Sequence, residues 1–210
     1  MSGSASPNPA CRFRPPRNSV DRLQSLLADL TSGNESRAET SVTALVELGD
    51  EAIPALLDLT QSPNADFRWW ALRVLAQSPH CSPGRLIPFL DDPAPEVRQC
   101  AALGLMQNPD EAAIPPLVRA LNDTDAMVCS LAVNALIKIG TPTVPSLIEA
   151  VKHESQSVRI HALRALAEIR DHRAIPVLMQ VMEEDSALLG HWAKEGLERL
   201  GLDMVYLKPV

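Results

Sequence analysis

The sequence predicts an all-α solenoid of about six helical hairpins, and three observations support this fold class. Its 210 residues are 46% apolar, enough for a continuous core, whereas aromatic residues make up only 3%. One segment recurs every 30 or 31 residues. Within each copy the apolar residues lie three and four positions apart, as on one face of a helix. This composition excludes a disordered protein and an all-β fold.

The first nineteen residues predict a disordered basic tail. Residues 1–19 contain four prolines and no apolar run, so they do not resemble a signal peptide. Three arginines and no acid give this tail a charge of +3, and since the whole chain carries −7, the remainder carries −10. That acidic balance disfavours a nucleic-acid partner.

Composition also indicates the compartment. No stretch approaches the roughly 18 apolar residues of a membrane span, so we expect no membrane association. Four cysteines lie at scattered positions without a CxxC pair. This spacing argues against a disulfide framework or zinc site and favours a cytoplasmic location.

The second half of each unit predicts a helix with a buried face. A small residue occupies one site, a small residue or valine follows three positions later, and a leucine comes next. Small residues at this spacing let neighbouring helices approach closely. The leucine is present in all six copies: Leu45, Leu75, Leu105, Leu136, Leu166 and Leu197.

The first half of each unit predicts a shorter helix with proline in its first turn, where the missing N–H is tolerated. A leucine follows each proline by two residues, and the prolines are Pro54, Pro115, Pro145 and Pro176. The third unit has Gly84 in that place and Pro88 further inside, so we expect its helix to be short or kinked. The first unit lacks the proline but has an apolar stripe from Val20 to Leu30.

Hairpins of this size cannot bury their apolar faces alone, so residues 20–200 are expected to stack into one solenoid. The last unit places Lys194, Glu195 and Glu198 on its second helix, which is typical of a terminal unit with a polar outer face. The apolar segment 201–210 is expected to fold back over this end as a cap.

Three second-helix segments carry a resemblance to a known family: Phe67-Arg68-Trp69-Trp70, Val97-Arg98-Gln99-Cys100 and Val158-Arg159-Ile160-His161. They resemble HEAT repeats, in particular the short repeats of phycobilin lyases, over residues 20 to about 200. The resemblance implies an armadillo/HEAT-like right-handed superhelix. It says less about function, because adaptors, enzyme subunits and chaperones share this repeat.

The family's interrepeat polar ladder is expected to be incomplete. Its arginine is replaced in three units, by Ala38, Cys129 and Gly190. The acidic partner expected in the preceding turn is present as Asp92 and Asp123.

Enzymatic constellations are not visible, so we predict no catalytic residues and no metal. A hydroxylase branch of this repeat class, resembling deoxyhypusine hydroxylase, binds iron through paired His-Glu dipeptides. Here the only such dipeptide is His153-Glu154 in a link, without the several converging ligands that a metal needs. A branch resembling alkylpurine DNA glycosylases needs a basic concave face, which the acidic balance disfavours.

His80 and Cys81 form the one suggestive pair. An adjacent histidine lowers the pKa of a thiol in reactive sites, and isomerising phycobilin lyases are similar in carrying a His-Cys motif. Their flanking residues are Asn, Gln and Gly, whereas Ser and Pro flank the pair here. The pair is therefore interpreted as an ordinary loop segment, with a reactive site as the alternative.

The concave face is the predicted binding surface. With the arginine position as zero, positions +1, +5 and +8 of each second helix point away from the buried side. These rows are expected to form an apolar patch flanked by arginines, a pattern typical of binding sites. The alternative is that curvature buries part of the patch. The candidate residues are Trp69, Arg73, Leu103, Met106, Asn134, Ile137, Ile160, Arg164 and His191.

Three functions compete for this surface. The leading hypothesis is a noncatalytic scaffold that needs no cofactor and binds a partner protein or peptide. A phycobilin lyase subunit or bilin chaperone is the alternative, in which arginines suit the propionates of an open-chain tetrapyrrole and apolar residues suit its rings. A metal-dependent hydroxylase is the third. A second HEAT-repeat subunit is a further candidate partner.

Overall fold

The chain is a stack of helical hairpins. The computed structural model describes residues 19–184 and 186–202, and within these ranges every regular element is helical. The predicted cap largely falls outside them, as does the predicted tail apart from Ser19, with which the first helix begins. The hairpins are α1 (Ser19–Leu30) with α2 (Glu35–Leu48), α3 (Ile53–Leu59) with α4 (Ala65–Gln77), a 3₁₀ helix (Pro83–Asp91) with α5 (Pro95–Gln107), α6 (Ile114–Ala120) with α7 (Ala126–Ile139), α8 (Val144–His153) with α9 (Gln156–Ile169), and α10 (Ile175–Met182) with α11 (Ala187–Arg199).

Local sequence signals start these helices where they were expected. The four predicted prolines lie in the first turns of α3, α6, α8 and α10, each just after a short 3₁₀ turn. Every second helix except α5, which follows Ala94, begins at a side-chain cap that satisfies an unpaired N–H group of the first turn. The capping residues are Asn34, Asn64, Asp125, Ser155 and Ser186.

The third unit departs from the others in helix type rather than in length. Its first element is a 3₁₀ helix of nine residues with Pro88 inside it, where a short or kinked helix was expected. Proline has no N–H for a bond to the fourth residue back, and its ring crowds that carbonyl. The segment nevertheless continues past Pro88 to Asp91 with 3₁₀ geometry.

The second helices pack side by side in chain order and contribute much of the core. All six repeat leucines are buried, and so are the six small residues four positions before them. Gly104 in α5 lies at a tight contact with the preceding helices. A Cβ atom there would lie 2.7 Å from Cδ1 of Leu86 and 2.8 Å from Cβ of Ala76. Only glycine fits between these neighbours.

A ladder of arginine–carboxylate pairs, the polar ladder, joins successive units along the links. Arg68 donates through Nε and Nη2 to both carboxylate oxygens of Asp92, and Arg98 does the same to Asp123, at 2.7–2.8 Å. A third rung joins Arg159 to Glu184, a partner that the sequence analysis missed.

The ladder has two gaps, and both sides of each gap have changed together. In each rung, the acid lies six residues before the arginine position of the following unit. At the corresponding place, the units that carry Ala38 and Cys129 are followed by Ser62 and His153. Cys129 Sγ donates to the carbonyl oxygens of its own link, as the arginines do, but is too short to reach the following unit. No acid is left stranded at either gap.

Acid is expected to weaken the ladder. Burial raises the pKa values of Asp92 and Asp123, but hydrogen bonds from arginine and a backbone amide, with the arginine charges, outweigh it, so both lie below the ordinary 3.8. The unfolded chain therefore takes up these protons first, and the stabilisation is present above about pH 4 and lost as pH falls through the lower folded values. We expect the urea concentration at the unfolding midpoint to decrease as the pH is lowered below about 4. Asp123→Asn should flatten that dependence; an unchanged slope would contradict the assignment.

Among the described residues, no single helix is long and apolar enough to cross a bilayer. Only α7 together with the segment Thr141–His153 meets that criterion, across a bend of 112°.

Candidate functional site

A groove of about 530 Å³ lies across α4, α5 and α7 on the face predicted to be concave. Its walls are mostly apolar, with glutamines and one arginine among them. The lining residues are Trp69, Arg73, Ala76, Gln77, Gln99, Cys100, Leu103, Gly104, Gln107, Met127 and Leu131.

The predicted rows supply the centre of this groove. Trp69 and Arg73 come from α4, and Leu103, 39% exposed, comes from the corresponding row of α5. Met106 is half-buried against the core and does not line the groove. Ala76 and Ala167, in the third row, are buried. Curvature thus covers part of the patch and leaves Leu103 accessible.

Several lining residues are absent from the predicted candidates, among them the two on α7. Met127, 55% exposed, and Leu131 extend the apolar wall onto α7. With Cys129 as position zero of α7, they lie at −2 and +2, outside the three predicted rows. Met127 itself could have indicated this wall, because a large apolar residue at the second position of a helix is not explained by capping.

Arg73 is held between two tryptophan rings and Glu39, and its buried Nε has no partner within the described part of the chain. Its guanidinium carbon lies 5.2 and 5.5 Å from the ring centroids of Trp69 and Trp70, which contact each other edge to face. Nη2 donates to Oε1 of Glu39 at 2.5 Å. Nε is shielded from solvent and has no hydrogen-bond partner among the described residues. An unsatisfied buried donor costs about 1–3 kcal/mol, so this conformer is incompletely stabilised.

Cys100 lies at the base of the groove and is not activated. Burial raises the pKa of its thiol to about 12, although the charge of Arg73 opposes the shift. A thiol of this pKa is protonated at neutral pH and is a poor nucleophile. The surroundings of Cys100 therefore do not activate this thiol.

The remaining predicted site residues lie beyond this groove. Asn134, Ile137, Ile160 and Arg164 are half-buried on α7 and α9. Burial, and to a smaller extent the charge of Arg164, lowers the pKa of His161 on the same helix. His191 is exposed in a separate charged depression of about 420 Å³ on α11.

His80 and Cys81 have different surroundings in the structure. His80 Nδ1 faces Oδ1 of Asp50 at 3.3 Å, and its ring packs over Gly49. Cys81 is buried, and burial raises the pKa of its thiol against a smaller opposing effect of Arg85. Burial therefore disfavours the thiolate form of Cys81.

His153 interacts with Glu149 one turn earlier rather than with Glu154. Within the described ranges, no three His, Cys, Asp or Glu side chains are grouped as metal ligands.

The repeats of this chain match a known family of repeat proteins. The family model for HEAT repeats matches residues 82–149 and 130–198, which together span more than half of the chain.

Curated relatives add a functional context. The bilin biosynthesis protein RpcF of Synechococcus sp. is 35% identical over 91 residues, 43% of this chain and 44% of the relative. The phycocyanobilin lyase subunit beta of Nostoc sp. is 30% identical over 101 residues, covering 48% and 50%. The uncharacterized phycocyanin operon protein Z of Pseudanabaena tenuis is 30% identical over 147 residues, covering 65% and 73%. The chain spans about half the length of the first two.

Solved structures share the architecture. A chain in the complex of CpcE and CpcF of phycocyanin lyase from Nostoc sp. aligns with a TM-score of 0.54 and 27% identity, over 70% of this chain and 98% of that one. A HEAT-like repeats protein of the archaeon Thermococcus onnurineus aligns with a TM-score of 0.56 and 15% identity, over 90% and 83%, and shows the fold alone. The predicted helical-repeat solenoid is confirmed.

Proposed function

The chain belongs to the HEAT-repeat family, and from that premise we propose that it is a phycobilin lyase-type subunit or bilin chaperone that holds an open-chain tetrapyrrole in the groove across α4, α5 and α7. The observation that carries this proposal is the groove itself, which combines an open apolar wall with a single arginine. The names of the relatives favour this function over the plain peptide scaffold.

The chemistry of the groove suits such a ligand. A tetrapyrrole presents flat apolar rings, polar ring edges and two carboxylates. Trp69, Leu103 and Met127 provide apolar contact area, while Gln99 and Gln107 provide amide groups for the ring edges. A volume of about 530 Å³ is within the range of small-molecule sites.

The contribution of this chain would be to bind and orient rather than to react. Cys100, the thiol in the groove, is protonated at neutral pH, so the acceptor thiol for a transferred bilin would come from another protein. CpcE and CpcF form a complex with each other. A second HEAT-repeat subunit is accordingly the partner that we propose here.

Phycocyanobilin is expected to bind the purified chain and to shift its visible absorption spectrum. Trp69→Ala should weaken binding by about tenfold or more, because buried aromatic anchors dominate binding energy. Met179→Ala, which removes an exposed apolar side chain of α10 outside the groove, serves as the matched control and should bind as the wild type does. Absorbance titration, with and without a second HEAT-repeat subunit, measures both. No spectral change under either condition would refute the proposal.

A further inference from the structure

We infer that Arg73 is a carboxylate-binding subsite of the groove and that Glu39 is its built-in, displaceable counter-ion. The inference rests on the proposed function and deepens it: the ligand would be oriented by one of its carboxylates, received at the α4 wall.

The ladder within the same chain provides the standard for a complete arginine–carboxylate pair. Arg68 and Arg98 each use the edge formed by Nε and Nη2 to bind both oxygens of one carboxylate. Arg73 uses Nη2 alone, toward a single oxygen of Glu39, and leaves Nε without a partner. The Arg73–Glu39 pair is therefore half of the bidentate arrangement.

Glu39 is poorly placed to hold Arg73 against a competitor. Its side chain on α2 is 53% exposed and does not line the groove. Exposed ion pairs contribute little because water solvates both partners. Arg73 and Trp69 both line the groove, so a ligand carboxylate would meet the guanidinium beside the Trp69 ring, which restricts water there and strengthens the interaction.

Arg73 differs in this respect from the other arginine of the same row. Arg164 on α9 does not line the groove, so a ligand bound between α4 and α7 would not contact it. It provides a matched control for the loss of one positive charge from the concave face.

The test compares phycocyanobilin as the free diacid with its dimethyl ester, which keeps the ring system but has no carboxylate. Affinities would be measured by absorbance titration for the wild type, Arg73→Gln, Glu39→Gln and Arg164→Gln. In the wild type the diacid should bind about tenfold more tightly than the ester, as a charge-assisted hydrogen bond to the guanidinium implies. Arg73→Gln should reduce the diacid to the affinity of the ester. Glu39→Gln should strengthen diacid binding severalfold and leave ester binding unchanged, and Arg164→Gln should match the wild type.

The outcomes separate this inference from the proposed function. Equal affinity of diacid and ester in the wild type would overturn the carboxylate subsite while leaving bilin binding intact. Weaker diacid binding by Glu39→Gln would overturn the role of Glu39 as a competitor. Failure of both ligands to bind would overturn the proposed function itself. Ester binding by Arg73→Gln also shows that this variant is folded.

Discussion

Replacing Arg98 with alanine is expected to lower the free energy of unfolding by about 3 kcal/mol, because it strands the carboxylate of Asp123 in the link between two units. The two side chains are only 13% and 10% exposed and share two hydrogen bonds at 2.7 and 2.8 Å. Arg98 also donates to the carbonyl oxygens of Asp92 and Pro93, which would lose these donors. Urea denaturation at pH 7 measures the change.

The chain itself suggests the compensating change. Ala38 and Ser62 occupy the two rung positions where the ladder is naturally absent. Arg98→Ala combined with Asp123→Ser should therefore recover part of the loss, since no unpaired charge remains. Arg119→Ala, which breaks an exposed pair with Asp91 at 3.7 Å, is the control and should cost less than about 1 kcal/mol. Simple additivity of the Arg98 and Asp123 changes would contradict the ladder as an energetic pair.

Gly104→Ala should destabilise the protein by about 1–3 kcal/mol, since even the Cβ atom of alanine would overlap its neighbours. The nearest atoms, Leu86 Cδ1 and Ala76 Cβ, belong to buried residues, and the Ala76 Cβ is attached directly to the backbone of α4. Moving it would separate α4 from α5 and widen the base of the groove. Thermal and urea unfolding would measure the loss, and reduced bilin binding should accompany it.

Gly190→Ala on α11 provides the matched control for Gly104. A Cβ atom at Gly190 meets no atom within 4 Å, so the substitution should stabilise the protein slightly, by about 0.5 kcal/mol, through helix propensity. Equal effects at the two glycines would show that the contact between α4 and α5 adjusts more easily than its geometry indicates.

Much of the fold could be predicted because its determinants recur. The repeat leucines, the small residues before them and the first-turn prolines each act within one unit, where helical spacing alone defines their neighbours. The helix type around Pro88 was harder to predict. It depends on whether the segment breaks, bends or tightens, and packing against its neighbours decides among these.

The candidate site was only partly predictable, since its decisive contacts cross units. Trp69, Arg73 and Leu103 followed from their rows, but the Arg73–Glu39 pair joins residues 34 positions apart on two different helices. Glu184 was missed for a similar reason. It pairs with an arginine 25 residues earlier, while the arginine position of its own unit is occupied by Gly190.

The polar ladder also determines which units can be duplicated or deleted in register. Each rung takes its arginine from one unit and its acid from the next, so excising a hairpin joins halves that were never paired. Loss of the third unit would bring Arg68 against Asp123 and preserve a rung. Loss of the fourth would bring Arg98 against His153 and leave it without an acid. Repeats that look equivalent in sequence are therefore not interchangeable parts.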